Sequence, residues 1–432
     1  MAIPESLLQF IWQFQYYNKS ELSTSTGEAL HIISPGRLNH NQGPDFTDAK
    51  IIIGTTTWAG TIELHIRASD WQRHKHDGDS NYYNVILHVV WDDDLTSKAG
   101  KDVPAVPVLE LKSRIPKMLI SRYDELMRSL CFIPCEHSIV SVEEIIWQSW
   151  KDRLAAGRLM RKSEQIKTFL TSNHMHWEET FWWMLARNFG MKVNADAFEA
   201  IARSVPLTIL SKHKNQIHQM EALLLGQGGL LEGRFEDEYS KLLQREYHFL
   251  QKKYKLKPIW IPLHSLRMRP ASFPAVRLAE LAMLIKESTH LFSSIRETCS
   301  TEEIRNLFKV TANDYWHYHY RLDAEPGKFH KKITGDSFID NIMINTVAPA
   351  LFTYGNYLGD QQFHNRALRC LEETAAEINK VTTRFKSLGI EVKNARDSQA
   401  LIELRNQYCE QKRCLECAIG NAILRKTGNT IP

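Results

Sequence analysis

The run Asn84-Val85-Ile86-Leu87-His88-Val89-Val90-Trp91 constrains this chain more than any other segment. Aliphatic, β-branched and aromatic residues follow one another there without the polar alternation of a half-exposed strand. Such a strand is buried on both faces, inside a sheet. The flanking sequence supplies companions. Pro4-Glu5-Ser6 opens an apolar stretch (Leu7, Leu8, Phe10, Ile11, Trp12, Phe14) whose early proline and first-turn carboxylate suit a helix over residues 4–16. Short strands are expected at 29–33, 49–53, 61–66 and 106–111, the last at an edge because Pro107 cannot donate to a ladder. Ser69-Asp70-Trp71 looks like a helix cap and first turn. The order helix, three strands, helix, two strands predicts an α/β sandwich domain over residues 1–115.

Beyond residue 114 the periodicity turns helical. Ser141-Val142-Glu143-Glu144 is a capping box. Helical spacing recurs at 177–190, 196–203, 216–224, 236–254, 274–293, 301–308, 338–356, 360–387 and 398–408. Residues 116–432 therefore read as a mainly helical region, and Pro258, Pro262, Pro270 and Pro274 mark 255–275 as a place where it would divide again. With 43% hydrophobic and 24% charged residues, the chain can bury a large core and disorder is not the default. The formal charge of +4 does not by itself imply nucleic acid. Seven cysteines spread over 432 residues are no secreted disulfide framework. Met1–Gln15 lacks a basic leader, and no run of about 18 apolar residues exists to cross a membrane. A cytoplasmic protein with no membrane partner is expected. No phosphate-binding loop, dinucleotide glycine fingerprint or nucleophile elbow occurs, which argues against nucleotide cofactors and serine hydrolysis.

The strongest chemical signal is Gly43-Pro44-Asp45-Phe46 followed by Glu63-Leu64-His65 on the next strand. Alternation puts Glu63 and His65 on one face, and Asp45 at the start of the neighbouring strand can approach Glu63. Two carboxylates suit Mg²⁺ or Mn²⁺, and a third polar group beside them can serve an attacking water. This pattern resembles the PD-(D/E)xK nuclease-like superfamily across residues 4–112, and the element order is similar to that superfamily's αβββαβ, restriction-endonuclease-like core. The resemblance implies metal ligands at Asp45 and Glu63, with the Leu64 carbonyl, and catalysis by the residue at position 65. That residue is normally lysine. Here it is His65, with Lys50 on the preceding strand as the other source of a cation. The chain as a whole also resembles a bacterial family known only as a domain of unknown function. The resemblance rests on Gly43-Pro44-Asp45-Phe46, Ser69-Asp70-Trp71, His74-x-His76, Asn84–Val90, Leu266-Arg267-Met268-Arg269-Pro270 and the cysteine-rich end.

A second constellation is His65, His74, His76 and His88, with Asp77 and Asp79 nearby. Imidazole with carboxylate suits Zn²⁺, Mn²⁺ or Fe²⁺. On a regular helix His74 and His76 would diverge by about 200°, so they converge only in an irregular turn. Cys409-x4-Cys414-x2-Cys417 has spacing that can hold a zinc ion or an iron–sulfur cluster, or place the thiols on one buried helix face. The fourth ligand would come from Cys370, His330 or the Cys131-x3-Cys135-x-His137 segment. Arg267, Arg269, Arg277, Lys331 and Lys332, near the aromatic run Tyr315–Tyr320, suit phosphate and stacked bases.

These readings predict a metal-dependent nuclease whose helical region positions nucleic acid. Two others stand beside it: a non-catalytic nucleic-acid or protein binding module on the same fold, and a metallohydrolase centred on the histidines.

Overall fold

Helix α1 (Glu5–Phe14) buries Leu7, Leu8, Phe10, Ile11 and Trp12, and stops where Gln15 turns left-handed at φ 56°. In the computed structural model described here, residues 3–76, 79–95, 106–265, 272–288 and 290–426 are placed. Strands β1 (Leu30–Ser34), β2 (Arg37–Leu38), β3 (Phe46–Ile53) and β4 (Thr56–Arg67) follow α1. After the short helix α2 (Asp70–Arg73) come β5 (Val85–Asp92) and β6 (Val108–Glu110). Helices α3 (Lys117–Arg128) and α4 (Glu144–Ser172) then lead into the helical region.

The strands form one mixed, curled sheet in the order β1-β3-β4-β5-β6, with β2 pairing β3. The β1-β3-β4 half is antiparallel and the β4-β5-β6 half is parallel. As its unbroken apolar run demands, β5 lies between two strands, and Val85 through Val90 are all buried. A bulge in β3 between Phe46 and Ala49, with Asp48 at φ 57°, keeps Phe46, Ala49, Ile51 and Ile53 all in the core despite the odd spacing. They pack with α1, β5 and α3 in one hydrophobic core. Each large side chain buried there contributes about 1.5–3 kcal/mol. At Gly60 a Cβ would sit 2.5 Å from the Asn84 carbonyl oxygen, so glycine lets β4 approach the start of β5.

The chain divides into two compact units, one of residues 1–150 with 405–432 and one of 151–404. The second is built from helices around its own core, including Trp182, Phe198, Leu224, Leu281, Trp316 and Leu351. Two expected helices are each divided. The 274–293 segment is Pro274–Glu287 and then Leu291–Glu297. The 360–387 segment is Gln361–Glu373 and then Lys380–Ser387, restarted by a capping box at Asn379. Helix α3 begins after Pro116. Among the described residues no helix is long and apolar enough to cross a membrane.

Candidate metal centre

Three adjacent strands carry the site. Asp45 immediately precedes β3, Glu63 lies on β4, and His88 on β5 is the register partner of Glu63. The Asp45 amide donates to Glu63 Oε2 at 3.1 Å, and the Leu64 amide donates to Asp45 Oδ2 at 2.9 Å. Asp45 Oδ1 accepts from Gln9 Nε2 of α1 at 2.7 Å. The contact shown by Leu64 is thus its amide on Asp45.

His65 shares the face of Glu63, and its Nε2 is the hub of the site. It lies 3.1 Å from His74 Nδ1, 3.3 Å from His76 Nε2 and 3.6 Å from Glu63 Oε1. His76 Nε2 is also 3.6 Å from Glu63 Oε1. One donor atom from each of His65, His74 and His76 falls within 4.8 Å of the others. His74 and His76 meet because α2 ends at His74 and Lys75 turns left-handed at φ 60°, reversing the chain between them. A lysine there is strained, since its Cβ crowds the backbone in that region. Behind the trio, His65 Nδ1 contacts His88 Nε2 at 2.8 Å. Trp71 packs on His76 and His88, and Tyr82 stacks on His76 at 3.9 Å.

An ion about 2.1 Å from each ligand separates neighbouring donors by about 3.0 Å at right angles and about 3.4 Å at the tetrahedral angle. The nitrogen separations of 3.1 and 3.3 Å around His65 fall in that interval. Three imidazoles, with the Glu63 carboxylate beside two of them, suit Zn²⁺, Mn²⁺ or Fe²⁺.

The electrostatics are those of a site short of positive charge. Burial, then repulsion from Asp45, raises the Glu63 carboxyl to about 8. Burial also raises Asp45, against its bonds from Leu64 and Gln9. Glu5 on α1 rises to about 7 through burial and the charges of Asp45 and Asp70. Burial and the neighbouring histidines push His65 down to about 3, and burial with His76 lowers His88 to about 4. Neutral imidazoles cannot balance the carboxylates, but they offer lone pairs to a cation.

The expectations fare differently. Asp45, Glu63, His65, His74, His76 and His88 converge. His65 sits at the hub of the cluster, its pKa pushed down by burial and the neighbouring histidines. Lys50 is exposed and pairs with Ala59, four residues before Glu63 and so about 13 Å away along the strand; the structure does not bring it to the site. The sequence does not mark Glu5 or Tyr82 as neighbours of this cluster, although both are electrostatically tied to it. A first-turn glutamate reads as ordinary helix electrostatics, and nothing near Tyr82 in the sequence links it to the site.

Arg267, Arg269 and Asp77 lie outside the described residues. Arg277 is buried, pairs with Glu280 at 2.7 Å and covers the Phe338 ring. Lys332 is buried over the Tyr320 ring, donating to the His330 carbonyl. Neither is free for nucleic acid, while Lys331 is exposed. The 315–320 run is likewise packing: Trp316 and His317 are buried, and Tyr315 stacks between Tyr239 and His319.

No curated protein and no solved structure matches the chain. Residues 5–380 match the model of a family described as "Protein of unknown function (DUF2851)". That match takes in both the sheet with its histidine–carboxylate cluster and most of the helical region, and it places the chain in the DUF2851 family.

Proposed function

We propose that His65, His74 and His76, with Glu63 beside His65 and His76, hold one divalent transition-metal ion and that the protein is a metal-dependent hydrolase. The observation that carries this reading is the convergence of three imidazole nitrogens and Glu63 Oε1 around His65 Nε2. A bound ion acts as a Lewis acid and lowers the pKa of its water to about 7. His88 orients His65 by engaging Nδ1, leaving Nε2 for the ion. Asp45 holds the Glu63 segment in place. Glu5 on α1 adds negative charge near Glu63.

Phosphodiesters are the substrate class to assay first. The support is the resemblance to the PD-(D/E)xK pattern, together with Glu63 on β4 and Asp45 just before the antiparallel neighbour β3. That geometry also favours a second reading, in which Asp45 and Glu63 hold Mg²⁺ and the histidines line the cleft. Both Asp45 oxygens already accept protein hydrogen bonds, which weighs against it.

The test titrates Zn²⁺, Mn²⁺ and Mg²⁺ into the full chain and into His74→Ala, Glu63→Gln and Asp45→Asn, then assays labelled DNA and RNA of both strandednesses. The histidine centre predicts Zn²⁺ or Mn²⁺ binding that is weakened in His74→Ala, with cleavage lost alongside it. Mg²⁺ binding lost only in Asp45→Asn and Glu63→Gln favours the carboxylate site. Metal bound with no polymer cleaved leaves a binding module on the same fold. No metal bound in any form sinks the proposal.

A further inference from the structure

The first unit contains a second cluster of metal-binding groups, independent of the histidine centre. Cys409 ends a π-helical turn at Leu404–Cys409. Lys412, left-handed at φ 52°, reverses the chain, and Cys414 opens a single 3-10 turn that delivers Cys417 to the start of the helix Ala418–Arg425. The backbone amides of Ile419 and Gly420, in the first turn of that helix, act against burial to lower the Cys417 thiol pKa. At Gly420 a Cβ would lie 2.1 Å from the Cys414 carbonyl oxygen, so glycine permits this tight wrap.

The segment carrying Cys135 is fastened against this loop on both sides. Lys412 Nζ donates to the Met127 carbonyl and Lys426 Nζ to the Ser141 carbonyl. The Arg405 guanidinium lies 5.1 Å over the Phe132 ring, and Trp150 meets Tyr408 edge-on at 5.3 Å. Cys414 and Cys417 are buried; Cys414 belongs to the apolar core of the first unit, and Cys135 packs against that core. All four thiols are free, and none is paired in a disulfide. Burial raises each of them. Cys135 is raised further by Cys417 and Cys414, and Cys409 by Cys417, Cys135 and Cys414, so the four share one electrostatic neighbourhood.

The spacing distinguishes between ligands. Tetrahedral zinc, with Zn–S near 2.3 Å, brings its sulfurs to about 3.8 Å from one another. Among the described residues no three cysteine sulfurs lie within 4.8 Å of one another. Thiols spaced more widely than one zinc ion allows, two of them buried and two half-buried, suit a polynuclear group, and four cysteines are the ligand set of the common iron–sulfur clusters. Amide N–H groups aimed at a ligand sulfur are among the features that set such a cluster's potential.

We infer that Cys135, Cys409, Cys414 and Cys417 bind an iron–sulfur cluster that ties the end of the chain to the α3–α4 connection. The structure selects Cys135 as the fourth ligand. Cys131, four residues earlier, is exposed and contacts His137.

The test purifies the full chain without oxygen and measures iron, acid-labile sulfide, zinc and visible absorption. Expected are iron and sulfide in equal amounts with broad visible absorption. Both should be lost in Cys135→Ser, Cys409→Ser, Cys414→Ser and Cys417→Ser but retained in Cys131→Ser and Cys299→Ser. The wild-type metal content stands even where a variant misfolds. Stoichiometric zinc without sulfide overturns the inference in favour of a mononuclear site. Absence of iron and sulfide after anaerobic reconstitution with ferrous iron and sulfide overturns it outright, and a full cluster in Cys135→Ser removes Cys135 from the ligand set.

Discussion

Asp45 and Glu63 are interlocked across β3 and β4: the Asp45 amide donates to the Glu63 carboxylate at 3.1 Å, and the Asp45 carboxylate accepts from the amide that follows Glu63 at 2.9 Å. Asp45 therefore places Glu63 as well as adding charge beside it. Asp45→Ala leaves the Leu64 amide and Gln9 without this acceptor and should cost about 1–3 kcal/mol of stability. Asp45→Asn, which retains an acceptor oxygen, should recover part of that loss. Denaturant unfolding of the two variants at neutral pH measures the difference, and equal stability of Asp45→Ala and wild type would show that the interlock is not structural.

His88 touches the proposed ion only through His65, by the 2.8 Å contact between His65 Nδ1 and His88 Nε2. Removing such an orienting partner typically weakens metal affinity about 10–100-fold. His88→Ala should show that loss in a metal titration while the binding stoichiometry stays unchanged. Unaltered affinity would mean that His88 is a packed core residue only.

Lys75 is the hinge on which His74 and His76 converge. A β-branched residue is disfavoured at positive φ, so Lys75→Val should oppose the turn by about 1–2 kcal/mol and weaken metal binding, whereas Lys75→Gly should preserve it. Parallel calorimetric titrations of the two variants make the comparison. Equal binding by both would detach the metal site from this turn.

Glu221 is fully buried in the second unit, where its Oε2 accepts from Tyr239 and from Trp316 Nε1 at 3.2 Å. Burial raises its carboxyl from 4.5 to about 7. A carboxyl whose pKa is higher folded than unfolded favours the folded state in acid. That contribution is full below about 4.5 and is lost as pH rises through about 7. Stability should decline from pH 5 to pH 8 by up to about 3 kcal/mol from this group. Glu221→Gln, neutral throughout, should flatten the decline in denaturant unfolding at the two pH values. An identical slope in wild type and variant would assign the dependence elsewhere.

Much of the architecture is legible in local pattern. The unbroken apolar run of β5 requires cover on both faces, and Pro4 with the following apolar spacing requires a helix against the sheet. Alternation along β4 puts Glu63 and His65 on one side. These features need only a residue's near neighbours. Tertiary structure decided which groups meet. A left-handed lysine, a conformation that no residue type marks reliably, joins His74 to His76. Strand register leaves Lys50 four residues short of Glu63, and the packing of residues 405–426 against 127–141 brings Cys135 to a loop far along the chain. Packing likewise turned Arg277 and Lys332 inward, onto Phe338 and Tyr320, because long basic side chains bury their stems wherever a ring and a partner are available. Periodicity fixes which face of an element is apolar. The meeting of side chains distant in sequence depends on chain reversal and register, which are set by the packed whole.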